Sequence, residues 1–376
     1  MSSKFESNTE EGENLRSQAL DQFREWITKH PKIKKCKTDD KFLLRFLRTK
    51  KFSVPGACEL LENYLTLRKT LSHSFNNLDI ERSEFQTILD FNGGFILKET
   101  DLKGRLVFYV DLGKLDMIKF SAVDFMRIAN LFFESISLDE RSQINGIVQV
   151  LNCNGLRLSS LIIWTPTTIK EFAQCWQQAF PIRYQKIYFV NVPSFAKSLL
   201  QVFLSFLSEK IRSRLSIVNG WDEVFEELGS SIFPKDIGGK AFSTELQEYT
   251  KKFVTQCREE VLDLISDIDI EVSDTKVNFG NSYDADLDAA IIANGWDEVF
   301  EELGSSIFPE EIGGKVPISE LGEYTKKFVT QCREEVLDLI SDIDIEVSDT
   351  KVNFGNSYDA DLDAAIVGSF RKISVD

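Results

Sequence analysis

Gly146-Ile147-Val148-Gln149-Val150-Leu151 is a run in which apolar residues fall on both sides of an extended chain. Ile147 and Leu151 alternate with Val148 and Val150, so both faces call for cover. A strand of that kind suits the middle of a largely parallel sheet with helices packed on both faces. On its N-terminal side, Gly104-Arg-Leu-Val-Phe-Tyr-Val-Asp111 follows a Lys-Gly turn and reads as a second strand. On its C-terminal side, Lys186-Ile-Tyr-Phe-Val190 reads as a third. Helical patterns fill the gaps. Ser121-Ala-Val-Asp124 has the form of a capping box, opening a helix with Phe125, Met126, Ala129, Phe132, Phe133 and Ile136 on a broad apolar face. A further helix is expected over about residues 167–179. Strands alternating with helices define an α/β domain.

The preceding segment has a different period. Leu15, Ala19, Leu20, Phe23, Trp26 and Ile27 recur at helical spacing. Asp39 or Asp40 is placed to cap a helix through Phe42–Arg48, and Ser53-Val-Pro55 to open another carrying Ala57, Leu60, Leu61, Tyr64, Leu65 and Leu67. Residues 15–75 therefore read as an all-helical lobe, and 85–245 as the α/β domain.

Ser194 to Lys210 is the most unusual stretch. Wound as a helix over 194–209, it places Phe195, Leu199, Val202 and Phe206 on one stripe, and Leu200, Phe203, Leu204 and Leu207 carry apolar surface most of the way around. Its roughly 16 residues would reach about 24 Å, too short for a bilayer span. Such a helix is either buried on both sides or covers something apolar that changes.

The chain has 376 residues and a formal charge of −16, unevenly distributed. Residues 1–218 hold 31 basic and 24 acidic side chains; residues 219–368 hold 11 and 35. The acidic rear is a tandem repeat: 219–293 recurs as 294–368, with 7 differences among the 73 positions of 219–291 and 294–366. Two copies are too few for a solenoid. They read as a recent duplication, or as alternative exons joined in one transcript. Residues 246–376 are expected to form an acidic C-terminal extension. The N-terminus has no apolar core of a secretory signal, and no apolar run approaches a membrane span. The six cysteines show no CxxC spacing. These features fit a cytoplasmic protein with free thiols.

Taken in order, Phe42-Leu-Leu-Arg-Phe-Leu-Arg-Thr-Lys-Lys-Phe52, Asp101-Leu-Lys-Gly-Arg105, Phe180-Pro-Ile-Arg183, Val190-Asn-Val-Pro193, Phe206 to Arg214 and Phe233-Pro-Lys-Asp-Ile-Gly-Gly239 resemble the CRAL-TRIO family of lipid-binding and lipid-transfer proteins. The likeness is strongest to its tocopherol-transfer, retinaldehyde-binding and clavesin branch. The resemblance implies a mostly parallel sheet flooring a hydrophobic pocket, with residues 194–209 as a mobile gate. It puts Met126, Phe133, Ile147, Leu151, Phe172, Cys175, Phe180, Ile187, Leu200 and Phe203 around a bound lipid. It puts Lys50, Arg183, Lys210 and Arg214, with Lys186 and Arg212 as neighbours, where phosphoinositide head groups bind. Gln185 stands where that branch has another basic residue, and Asn152-Cys-Asn-Gly155 where relatives carry acidic ones.

Function follows from these expectations. The implied activity is uptake of a tocopherol-, retinoid- or phospholipid-like molecule and its transfer between membranes, with anionic phosphoinositide surfaces promoting gate opening. The rival reading is a lipid-sensing adaptor at such membranes that holds its ligand without transferring it. Peripheral association with endosomal or other intracellular membranes goes with either reading. An enzyme is disfavoured: His30 and His73 both lie in the helical lobe, and no HExxH, P-loop or nucleophile–base pattern occurs. No cofactor is expected besides the lipid. A negative net charge without a recognised motif argues against nucleic acid.

Overall fold

The computed structural model describes residues 12–272 apart from 92, 116–119, 158–159, 161–163 and 267. The second repeat copy, and the end of the first, lie outside the described residues. The helical lobe consists of α1 (Glu13–Lys29), a short strand β1 (Ile33–Lys35), α2 (Asp40–Thr49), α3 (Val54–Thr70), α4 (Ser72–Phe75) and α5 (Ser83–Asp90). Its helix starts follow from the sequence. The Asp39 carboxylate accepts from Phe42 N–H at 3.0 Å, and the Ser53 hydroxyl from Gly56 N–H at 3.4 Å with Pro55 in the first turn. The apolar stripes of α1, α2 and α3 meet in one core containing Phe23, Phe42, Phe46, Leu61 and Tyr64.

The sheet lobe runs β2 (Gly94–Ile96), β3 (Leu106–Asp111), α6 (Ala122–Leu138), α7 (Glu140–Asn145), β4 (Ile147–Asn152), α8 (Pro166–Gln178), β5 (Tyr184–Val190), α9 (Ser194–Ser205), α10 (Glu209–Arg212), β6 (Leu215–Val218) and α11 (Asp222–Leu228). The strands stand in the order β2-β3-β4-β5-β6. β2 is antiparallel to β3, and β3 to β6 are mutually parallel. The Ser121 capping box is present, and the Thr165 hydroxyl caps α8. Gly146 sits at φ +75°, where a Cβ would come within 2.6 Å of the Arg183 carbonyl oxygen, so only glycine lets β4 begin beside β5.

The alternation in β4 divides two cores. Val148 and Val150 pack with Val107, Tyr109, Tyr188 and Val190 against α11 and the turns that follow it. Ile147 and Leu151 share the other side with Leu106, Phe108, Val110, Ile187 and Phe189, covered by α6, α8 and α9.

Three expectations change. The sheet of the α/β lobe has five strands among the described residues rather than three, because β2 and β6 are only three and four residues long and carry little periodic signal. The helix expected over 194–209 stops at Ser205. Gln177 holds its end, accepting from Ser208 N–H at 2.9 Å and donating to the Phe206 carbonyl at 2.7 Å. Its 12 residues reach about 18 Å. Finally, the chain does not leave the body at 245. α12 (Ser243–Gln256) lies on β2, with Thr250 accepting from Ile96 N–H at 3.1 Å. α13 (Arg258–Ser266) follows, and β7 (Asp269–Ile270) pairs with β1. Leu246, Val254, Val261 and Leu264 form a buried apolar stripe, which the acidic composition of the segment masks.

Candidate lipid cavity and basic corner

Between the sheet and its helical cover lies a cavity of about 190 Å³. Phe108, Val110, Gln149, Leu151 and Phe189 form its floor, from β3, β4 and β5. Its cover comes from α6 (Phe125, Ile128, Ala129, Phe132, Phe133), α8 (Ile169, Phe172, Trp176) and α9 (Ala196, Leu199, Leu200, Phe203). Among the described residues, no Asp, Glu, Lys, Arg or His lines it. Aromatic rings dominate the roof: Phe203 lies 5.9 Å from Phe172 and 5.2 Å from Trp176, joining α9 to α8. A wall of this kind makes no polar demands on an occupant, and each Å² of apolar surface an occupant buries there contributes about 25 cal/mol.

Of the ten pocket residues expected, Phe133, Leu151, Phe172, Leu200 and Phe203 line this cavity. The other five are placed elsewhere. Ile147 and Ile187 lie on the cavity side of the sheet but within packed core, Ile147 in register with Tyr184 and Leu106. Met126 is fully buried on α6 and is not part of the wall. Phe180 packs on Phe75 and Phe133, with the Arg68 guanidinium carbon 5.2 Å from its ring centre. Cys175 is buried near Arg68 and Glu171, and burial pushes its thiol up to about 12. Both Phe180 and Cys175 thus belong to the junction between lobes. Unforeseen wall residues include Phe108, Val110, Cys153, Trp164 and Trp176. For Phe108 and Val110 the signal existed, since they alternate along the 104–111 strand.

The basic residues converge at the edge of the lobe junction. The Thr49 hydroxyl donates to the Pro181 carbonyl at 2.8 Å, bringing the end of α2, and Lys50, against the segment that enters β5. Arg183 donates to the Ile144 carbonyl, and Arg214, at the start of β6, to the Tyr184 carbonyl. Lys210 projects from α10. Partial burial lowers its pKa from the ordinary lysine value, and the charges of Lys50, Arg214 and Lys51 lower it further. None of Lys50, Lys51, Lys210, Arg212 or Arg214 forms an ion pair among the described residues. Lys51 joins the expected set. It follows Lys50 in a turn where Lys51 and Phe52 take φ of 50° and 60°, a conformation costly for residues with a Cβ. Lys186 departs from the set: its ammonium stands 5.2 Å from the Tyr188 ring centre, on the sheet face that packs against α11.

Among the described residues, no helix is long and apolar enough to cross a membrane. The sequence of this chain is 28% identical over 223 residues to clavesin-1 of Xenopus laevis, covering 59% of this chain and 67% of that protein. It is 33% identical over 205 residues to the alpha-tocopherol transfer protein-like protein of Homo sapiens, covering 54% and 59%. The match thus spans about two thirds or less of these relatives. The crystal structure of Sfh5 superposes with a TM-score of 0.43 at 15% identity, over 66% of this chain and 98% of that one. Residues 12–85 match the Pinta-like UBA domain. Residues 90–239 match the CRAL/TRIO domain, and they contain all five strands of the larger sheet and the greater part of the cavity wall, so this stretch of the chain has the CRAL/TRIO fold.

Proposed function

We propose that the chain takes one apolar lipid into the cavity and carries it between membranes, with α9 as the gate and the basic corner as the point of contact with an anionic surface. The observation that carries this reading is the cavity wall, whose described residues include no ionised side chain and which is closed on one side by a helix of 12 residues. At about 190 Å³ the space is below the roughly 300–1,000 Å³ typical of sites for drug-sized ligands, so loading a lipid requires the wall to move. α9 supplies Ala196, Leu199, Leu200 and Phe203 to the cavity wall. It is followed immediately by Lys210, Arg212 and Arg214. Each basic side chain near an anionic bilayer contributes about 1 kcal/mol of attraction, enough in aggregate to hold the gate at the interface while its Phe and Leu side chains exchange neighbours. Phosphoinositides, with several phosphates per head group, fit a corner that gathers several cations.

The test is transfer of a fluorescent apolar lipid between vesicles, with and without anionic lipid in the acceptor. The wild type should transfer faster to the anionic acceptor. The triple variant Lys50→Glu, Lys51→Glu, Lys210→Glu should lose that acceleration while keeping its bound lipid. Equal acceleration in the variant would sink the role of the basic corner. Tight binding without any transfer would favour the adaptor reading.

A further inference from the structure

The cavity floor contains one polar side chain among apolar neighbours, and its orientation is fixed. Gln149 is 3% exposed, on the cavity-facing side of β4. Trp176 Nε1 lies 2.8 Å from its Oε1. An indole N–H can only donate, so the amide must turn its oxygen toward Trp176. That leaves the two Nε2 hydrogens directed away from the ring, and among the described residues they have no acceptor. A second unsatisfied group lies behind the same wall. The Tyr184 hydroxyl is buried with no hydrogen-bond partner, and the Tyr184 ring packs 5.4 Å from Trp176 and 6.3 Å from Phe133. Buried polar groups are nearly always paired, and an unpaired one is costly. Unmet hydrogen-bonding capacity is therefore present on the cavity floor, in a space whose other described lining residues are almost all apolar, Ser160 being the exception.

We propose that Gln149, held in register by Trp176, is the residue that selects the cargo: its Nε2–H donates to an oxygen at the inner end of the bound lipid. The cargo is accordingly a long, uncharged molecule whose buried end carries a hydroxyl, carbonyl or ether oxygen. A pure hydrocarbon would leave the amide unpaired. A carboxylate or phosphate at that end would be buried with no cation among the described wall residues to meet it, which is costly. This inference rests on the reading of the cavity as a lipid site.

Three probes separate the two ideas: diphenylhexatriene, its hydroxymethyl derivative and its carboxylate derivative, with binding read by energy transfer from tryptophan. The ratio of hydroxymethyl to hydrocarbon affinity in the wild type should exceed that in Gln149→Met by about tenfold, the size of one buried hydrogen bond. Hydrocarbon affinity should be no lower in the variant than in the wild type, because Met leaves no amide unpaired, and an unchanged circular dichroism spectrum shows that the variant is folded. The carboxylate should bind the wild type most weakly at neutral pH. Trp176→Phe, which keeps a ring but frees the amide to turn, should narrow the same ratio. An unchanged ratio in Gln149→Met would overturn the inference and leave the lipid site standing. If no probe binds the wild type, the lipid site itself fails and this inference with it.

Discussion

Arg45 Nη2 on α2 lies 2.8 Å from Glu134 Oε2 on α6, with Arg45 0% and Glu134 2% exposed, so the helical lobe and the cavity roof are joined by a buried ion pair. Arg68 on α3 pairs with the other carboxylate oxygen, which also accepts from the Tyr64 hydroxyl at 2.8 Å. Phe132 and Phe133, the residues just before Glu134, are part of the cavity wall. The same carboxylate therefore anchors both the lobe junction and the roof.

Replacing Glu134 by Gln should destabilise the protein by about 3–5 kcal/mol, because two arginines are left buried without an anion. Burial alone would raise the Glu134 pKa, but the charges of Arg68 and Arg45 outweigh it and the net shift is downward. A carboxylate lowered in the folded state stabilises it above the ordinary glutamate range, and that contribution is lost as pH falls through the lowered value. Urea titrations at a series of pH values should show a shallower acid limb for Glu134→Gln than for the wild type. Parallel limbs would mean that Glu134 does not carry the acid sensitivity.

Lys210 is expected to trade stability for binding. Its lowered pKa, from burial first and then from Lys50, Arg214 and Lys51, means that the charged form is disfavoured on folding. The resulting destabilisation is fully present below the lowered folded value and disappears as pH rises toward the ordinary lysine value. Lys210→Met should therefore melt higher than the wild type at neutral pH and low salt, with the gap narrowing but not closing as salt screens the charges of the cluster and leaves the burial cost. The same variant should bind anionic vesicles more weakly in flotation. A variant that melts lower, at unchanged vesicle binding, would contradict both halves.

The strand and helix alternation and most helix caps were legible because they are local: Ser53, Ser121 and the Ile147/Leu151 against Val148/Val150 pattern each act within a few residues. The sheet face was legible too, but the cavity wall within it was not. Ile147 and Leu151 share a face, yet only Leu151 borders the cavity, because Phe133 of α6 and Trp176 of α8 pack on Tyr184 of β5 at the Ile147 end. That is decided by side chains from three distant segments. Lys186 looked like a member of the basic corner from its position beside Arg183, but strand alternation turns it to the opposite face. Lys51 and the Gln177 clamp carried no sequence signal of their own, since both depend on how one element meets another.

Filling the cavity should remove the lipid and keep the fold. Ala129 on α6 lines the cavity, and Ala129→Phe would project a ring into it. Overpacking costs about 1–3 kcal/mol, less than a folded domain can withstand. Native mass spectrometry of the purified variant should show at least a tenfold drop in co-purifying lipid, at unchanged far-ultraviolet circular dichroism. Retention of the wild-type lipid complement would place the ligand elsewhere.

Cys153 offers a direct view of cavity opening. It lines the wall at 3% exposure, and burial first, with the Asp111 charge second, pushes its thiol up to about 12. In a variant with Cys153 as the sole cysteine, an apolar maleimide should react slowly at pH 7, because little thiolate forms and access is blocked. Anionic vesicles should speed the reaction severalfold if contact at the basic corner opens the gate, and neutral vesicles should not. Equal rates with both vesicles would detach opening from surface charge.

The end of α9 gives the last prediction. Gln177 makes two hydrogen bonds to the chain that leaves the helix, to Phe206 and Ser208, and these stand between the cavity roof and the cations that follow it. Gln177→Leu keeps the side-chain bulk but breaks both, at a cost of about 1–2 kcal/mol. If α9 is the gate, loosening its C-terminal anchor lowers the barrier to opening more than it weakens the rest of the fold. Vesicle-to-vesicle transfer should then quicken severalfold, and Cys153 labelling should quicken with it even without membranes. A variant that is less stable but transfers and labels at the wild-type rate would assign Gln177 to stability alone and leave the opening motion to another element of the roof.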